Sequence, residues 1–418
     1  MTENQQPFPK LRLIDAVPVV YEGMRYLMLR DPYRLTEDSL FIPEPVIPLL
    51  SLMDGTRSPS ELRGALAVRF GLFLSQSRLD SFLQSLDNAL LLDNPRSREA
   101  SEEAREQFRA LPFRPPASAG QVYPADAEEL TANLQAYIDQ LKTPAPASPN
   151  GSIRGIVSPH IDYERGGPIY AQVWSTAAQA VAGADLAVIF GTDHFSEGYR
   201  FSLTRQNYAT PYGVLPTDTA VVDRLAAALD AADTSGSEHP QSAFTGELHH
   251  RYEHSIELAA VWLHFMRGGQ PIPIVPILTG PLEPGGDSPS VRALLRSLRQ
   301  SMRGRRALVI AAGDLAHVGP AFDTPPVDPG QLILLKDADD ALMDAMCQGS
   351  AQQFLSAIES VQDANNVCGV SPIYLTLRLL AAQNGQSPLY GTPRGYAVCP
   401  ADPNQTSVVT VCGVTLHG

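Results

Sequence analysis

The chain has little cysteine, no excess of positive charge and no long apolar run, and each shortage closes off a class of protein. Four cysteines (Cys347, Cys368, Cys399 and Cys412) in 418 residues are no disulfide framework, and no CxxC pair is present for a structural zinc. Most of them are expected to be buried as small apolar residues. A formal charge of -14 argues against a nucleic-acid-binding surface and against general affinity for anionic membranes. No apolar stretch approaches the ~18 residues that a membrane span requires, and residues 1–7 carry neither a basic nor an apolar leader region. A soluble, cytoplasmic protein without nucleic-acid or membrane partners is expected. Internal repeats and low-complexity tracts are absent as well.

A chain of 418 residues exceeds a typical single core, so two domains are expected. Residues 1–95 carry their own pattern. Residues 17–21 and 25–29, joined at Glu22-Gly23, read as a hairpin whose Pro18 keeps the first strand at an edge. An apolar helix over 46–53 stops at a turn, Asp54-Gly55-Thr56-Arg57. Ser58, Pro59 and Glu61 then compose a capping box for a second helix, and Leu79, Phe82, Leu83, Leu86 and Leu90 stripe a third over 75–92. A hairpin plus three helices is a small winged-helix-like α+β arrangement. Winged helices also bind DNA, but residues 1–110 hold 13 Lys/Arg against 16 Asp/Glu, which lacks the electrostatic footprint for it. A peptide or protein partner is favoured. Residues 96–119, rich in Arg, Glu, Pro and Ala, read as a linker with a short charged helix, and 143–151 as a Pro/Ala/Ser loop. Residues 120–418 alternate strands with helices, the pattern of an α/β domain with a central sheet flanked by helices.

Within that second domain three apolar runs each stop at a histidine: Gly155-Ile156-Val157-Ser158-Pro159-His160, Leu186-Ala187-Val188-Ile189-Phe190-Gly191-Thr192-Asp193-His194, and Leu308-Val309-Ile310-Ala311-Ala312-Gly313-Asp314-Leu315-Ala316-His317. Short Val/Ile/Leu runs of this kind read as buried strands of a parallel sheet. Ligands collect beyond the carboxyl ends of such strands. One strand-end histidine can simply cap or pack; three at equivalent positions point to one polar site.

Asp314 and His317 are three apart, and if Asp314 opens a helical turn the two side chains share a side and can act as an acid/base pair. An aspartate N-cap followed by an exposed histidine is the structural alternative. Cys368 stands just ahead of Ser371 and Pro372, which look like the cap and first residue of a helix, so its thiol sits where a thiolate is favoured. Glu253, His254 and Glu257 open another helix, with His254 and Glu257 on one face and both glutamates suited to the helix dipole. His239, His249, His250, His264 and His417 have no comparable setting.

These segments together resemble the MEMO family. Its hallmark stretches appear in order as Ser158-Pro159-His160-Ile161-Asp162-Tyr163, Gly191-Thr192-Asp193-His194, Thr210-Pro211-Tyr212-Gly213, Glu253-His254-Ser255-Ile256-Glu257, Ile274-Val275-Pro276-Ile277-Leu278-Thr279-Gly280, Gly313-Asp314-Leu315-Ala316-His317-Val318-Gly319 and Cys368-Gly369-Val370-Ser371-Pro372-Ile373, across about residues 111–418. The resemblance implies an α/β fold related to the class III extradiol dioxygenases, with His160, His194 and Cys368 as metal ligands. It places Asp314 and His317 beside that metal as catalytic residues, and Tyr163, His254 and Glu257 in the substrate pocket. It also implies an AmmeMemoRadiSam-type association with radical-SAM pathway proteins. Asp162 and Arg165 depart from the small residues usual there and are expected to bring charge toward the rim. In the first domain, the turn 50–57 and the helix ending at Leu90-Leu91-Leu92 resemble small PqqD-like domains, which hold peptide segments against a strand edge.

Two histidines and one anionic ligand suit Fe(II) in a dioxygenase-like oxidoreductase, whereas a thiolate suits copper(I) or zinc equally. A zinc-dependent hydrolase and a non-catalytic metal-binding accessory protein are the alternatives.

Overall fold

The structure is a computed structural model that describes residues 8–141, 153–196, 198, 200–232, 242–381 and 387–418. The expected 143–151 loop and His239 lie outside the described residues. The chain divides into two compact units, Met1–Ala110 and Leu111–Gly418. No helix among the described residues is long and apolar enough to cross a membrane.

The first unit is α+β. Strands Asp15–Tyr21, Met24–Arg30 and Leu40–Pro43 form an antiparallel sheet in that order, with the Pro18 strand at the edge. Glu22 and Gly23 both have positive φ (49° and 75°), the conformation a two-residue hairpin turn needs. The capping box at Ser58 is formed, and its helix spans Pro59–Phe70. Helices Gln76–Asn88 and Pro95–Ala110 follow. Leu29, Ile42, Leu49, Leu62, Leu79, Leu86 and Leu91 make the core. The first apolar helix is shorter than the pattern suggested, Ile47–Leu50.

The second unit is a three-layer α/β sandwich. Four parallel strands lie side by side: Ile153–Ser158, Ala307–Ala312, Leu186–Thr192 and Ile274–Thr279. Antiparallel strands extend both edges, Phe201–Leu203 beside Ile274–Thr279 and Val408–His417 beside Ile153–Ser158, the latter pairing with Tyr390–Pro400. The sheet is therefore mixed around a parallel centre. Alternate residues face opposite layers. Val157, Val188, Phe190 and Val309 pack under helices Thr219–Ala232, Pro289–Met302 and Val370–Leu380, while Ile156, Ile189 and Ile310 meet Tyr163–Thr176 and Ser255–Met266. Each of these fully buried side chains contributes about 1.5–3 kcal/mol, so the central strands hold the loops beyond their ends on a packed scaffold.

Two stretches depart from the expected secondary structure. Residues 111–119 are not a spacer: Arg114 is completely buried, donating to the carbonyls of His250 (2.6 Å) and Glu253 (2.9 Å). Asp314 does not open a helical turn either, because Leu315 N–H donates to Thr410 O (2.8 Å) and Thr410 N–H to Ala316 O (2.9 Å). The Val408–His417 strand captures this backbone, and His317–Val318 becomes a short sheet strand.

Candidate metal centre

Sheet register brings the site together. Ala312 pairs with Ser158 on one side and with Gly191 on the other, so three strands end level. His160, Asp314 and His194 follow these ends within three residues and emerge at one edge. Cys368 comes from the opposite direction, just before the Val370–Leu380 helix. Two glycines let it approach: a Cβ on Gly313 would stand 2.7 Å from Gly369 Cα, and one on Gly369 would stand 2.4 Å from Asp314 O. Gly369 N–H donates to that same carbonyl at 2.9 Å. The helix N-cap is Gly369 rather than Ser371, whose hydroxyl instead donates to Gly280 O (2.7 Å).

Each imidazole is oriented by its Nδ1. His160 Nδ1 lies 3.1 Å from Ala312 O, and His317 Nδ1 lies 3.2 Å from Leu315 O. A carbonyl can only accept, so Nδ1 carries the hydrogen and Nε2 is left for a ligand. His194 Nδ1 faces both oxygens of the buried Glu253 carboxylate, at 3.0 and 3.2 Å. Glu253 is held in turn by the backbone N–H groups of His194 (3.0 Å) and Ser255 (2.9 Å). This is the carboxylate–histidine arrangement that sets a ligand's tautomer in metal sites.

Cys368 Sγ lies 3.2 Å from His160 Nε2. The donor atoms of His160, His194 and Cys368 all fall within 4.8 Å of one another, as do those of Asp314, His317 and Cys368, and those of His194, Glu253 and His254. In the last set the glutamate oxygens already accept from N–H donors, and in the second Asp314 Oδ1 already accepts the His160 N–H. Two oriented imidazoles and a thiol fit a transition metal.

Electrostatics separate Cys368 from the other cysteines. Burial raises the thiols of Cys347, Cys399 and Cys412, the second to about 11. Burial opposes the thiolate at Cys368 too, but His160, His194 and His317 outweigh it and bring the pKa down to about 6. Reciprocally, burial disfavours a charged His160, yet Cys368 and Asp314 raise it to about 9. Burial also opposes charge on His194, and Glu253 more than offsets it. His254 ends neutral, because burial outweighs Glu253 and lowers it to about 4.

Residues 114–393 match the family model described as Memo-like protein. The chain belongs to the Memo family. It is 27% identical over 323 residues to a MEMO1 family protein of Aquifex aeolicus, covering 76% of this chain and 77% of that one. It is 31% identical over 218 residues to one of Methanosarcina mazei, covering 52% and 72%. A third, from Archaeoglobus fulgidus, is 26% identical over 277 residues, covering 66% and 90%. The Memo match contains His160, His194, Glu253, Asp314, His317 and Cys368 and leaves out the whole of the first unit and the Val408–His417 strand.

Against this Memo frame, the expected site residues sort into three groups. His160, His194, Cys368, Asp314 and His317 converge, and His254 joins them with its ring 5.0 Å from His194 and 5.4 Å from His160. Asp314 supports His160 rather than His317: its Oδ1 accepts the His160 backbone N–H at 2.8 Å. Tyr163 and Glu257 do not line the crevice. Tyr163 is buried and its hydroxyl donates to Leu258 O (2.8 Å). Glu257 is wholly buried and its oxygens accept from Arg114, Ala117 N (2.8 Å), Ser118 N (2.8 Å) and Tyr123 OH (2.6 Å). His254 caps the helix and turns to the His160 and His194 rings while Glu257 turns to Arg114 and Tyr123, so the two side chains do not act as a pair.

Asp162 and Arg165 are engaged with each other (2.6 Å), and Arg165 also donates to Pro400 O (3.1 Å). Sequence reasoning missed Glu253 as the partner of His194 and missed His249, whose Nδ1 lies 2.7 and 3.0 Å from the Asp193 carboxylate behind His194. The one available signal was that each of these carboxylates precedes a motif histidine.

Proposed function

We propose that this Memo protein is a metal-dependent oxidoreductase of dioxygenase-like type, with Fe(II) held by His160, His194 and Cys368. The observation that carries the reading is the convergence of two imidazoles, each with Nδ1 engaged and Nε2 directed to the same place, on a thiol poised as thiolate. When bound, iron would supply oxygen activation. The chain's own residues divide the rest. Glu253 fixes the His194 ring, Asp314 fixes the His160 backbone, and neutral His254 stands at the open rim where substrate enters. His317, held at Nδ1 and close to the thiol, offers Nε2 to take or give a proton at the substrate.

A softer reading follows from the thiolate, which equally suits zinc or copper(I). Protein purified without oxygen and analysed for metals tests both. Iron at one per chain with substrate-dependent oxygen uptake supports the oxidoreductase; zinc with hydrolysis, or metal with no turnover, overturns it in favour of a hydrolase or a metal-holding accessory protein. His160→Ala and Cys368→Ser should each lose the metal while folding normally, and unchanged stoichiometry in both would sink the ligand assignment.

The first unit is assigned the role of holding a peptide or protein partner, within a radical-SAM-associated modification pathway. Its sheet has an open edge at Asp15–Tyr21 and exposes Val20, Tyr21, Met24 and Phe41.

A further inference from the structure

The helix Pro289–Met302 buries Val291, Leu294, Leu295 and Leu298 on one side. Its other side carries Arg292, Arg296 and Arg299, and Arg303 caps the end, at spacings of four, three and four. Such spacings stack the side chains along one face. With Gln300, with Leu295 at the boundary between the two faces, and with Arg378 from the last turn of Val370–Leu380, they line a cavity of about 440 Å³.

An ordinary solvated helix face mixes the two signs of charge. This helix contains no carboxylate at all, although the whole chain carries a formal charge of -14. The helix dipole favours Arg299 and Arg303 near the carboxyl end but disfavours Arg292 near the start, and like charges at these spacings destabilise a helix. Compensation is slight. A single carboxylate, Asp287, serves both Arg292 (2.8 Å) and Arg378 (3.0 Å). Arg299 donates to the carbonyls of Leu379 (3.3 Å) and Arg378, which anchors its charge at the cavity wall. Among the described residues, Arg296 and Arg303 have no ion pair and no side-chain hydrogen bond.

The geometry points to an anion site in which this arginine-lined cavity binds a small molecule bearing two or more phosphate groups. Guanidinium forks match phosphate oxygens bidentately. Arg296 and Arg303 are seven residues apart, about 10 Å along the axis, and their long side chains can close on one ligand from both ends, so two or more linked phosphates offer oxygens to both guanidinium forks where a single phosphate serves one. The cavity has the size of a small-molecule site. A nucleic-acid polymer is disfavoured because the acidic remainder of the surface repels it.

The test is calorimetric titration of the full chain with inorganic phosphate, pyrophosphate and ATP, at low and at physiological salt. Pyrophosphate and ATP are expected to bind saturably, one per chain, with inorganic phosphate roughly tenfold weaker or more. Equal affinity for pyrophosphate and ATP assigns recognition to the phosphates alone, and tighter ATP adds a nucleoside contact; both support the site. The double variant Arg296→Ala/Arg303→Ala, at exposed positions, should weaken pyrophosphate binding by roughly tenfold or more with metal content unchanged. His160→Ala should leave it intact, which separates this cavity from the metal crevice. Absence of saturable binding, equal binding by the double variant, loss of binding in His160→Ala, or tighter binding of a short single-stranded oligonucleotide through the same arginines would each overturn the proposal.

Discussion

Raising the pH from 7 to 9 should tighten metal binding at the crevice by at least about a hundredfold, an effect an ordinary histidine site does not show. In the metal-free protein His160 and Cys368 share a proton, with the thiol lowered to about 6 and the ring raised to about 9. Metal needs the thiolate and the neutral ring. Above pH 7 the thiol is already ionised, so the remaining competitor is the proton on His160. Displacing it two pH units below its pKa costs about 2.7 kcal/mol. Affinity therefore climbs about tenfold per pH unit up to pH 9 and then levels. A ring titrating at its usual 6.5 would level near pH 7. His194 is raised as well, by Glu253 against the effect of burial, so its proton adds to that of His160 and the tenfold per pH unit is the lower limit of the slope.

The assay is competition for zinc against a chelator of known pH dependence, with proton release read independently by calorimetry in two buffers of different ionisation enthalpy. Cys368→Ser removes the strongest influence raising His160, so its weaker binding should level at lower pH than the parent. An affinity that is flat above pH 7 in the parent, with no proton released, would refute the ion-pair reasoning.

Three further outcomes follow from packing. Gly313→Ala drives a methyl to 2.7 Å from Gly369 Cα, where backbone cannot yield, so it should cost about 1–3 kcal/mol and displace Cys368; full metal retention by this variant contradicts the close-approach argument. Glu257→Ala strands the buried Arg114 cation, and denaturant unfolding should show a loss of about 3–5 kcal/mol, with metal per folded chain unchanged because the Glu257 oxygens bond to Arg114, Ala117, Ser118 and Tyr123 and to none of the three ligands. Asp339 is wholly buried, with Oδ2 accepting from Tyr396 OH (2.9 Å) and the Thr410 hydroxyl also donating to the carboxylate. Burial raises its pKa from 3.8 to about 6. The folded state thus prefers the neutral acid, and stability fully present below pH 3.8 is lost as pH rises through 6. Asp339→Asn should therefore stabilise by up to about 3 kcal/mol at pH 7.5 and by nearly nothing at pH 4, as thermal unfolding at the two pH values would show.

The strands and their level ends were legible because a parallel centre needs continuous Val/Ile runs, and 153–158, 186–192 and 307–312 have them. The cap at Ser58 was legible because it acts on an N–H only three residues away, that of Glu61. Polar roles were not, since they depend on partners far along the chain. Glu253 and Glu257 stand four apart and looked alike, yet one meets His194, 59 residues earlier, and the other Arg114, 143 residues earlier. Asp314 and His317 looked like a helical pair until Thr410, contributed by a strand outside the Memo match, drew the intervening backbone into the sheet. Periodicity reports which face a residue is on, and a carboxylate's function is settled by which cation or N–H waits on that face. The motif histidines could be found from their own strands; the carboxylates that orient them could be found only once the sheet had closed.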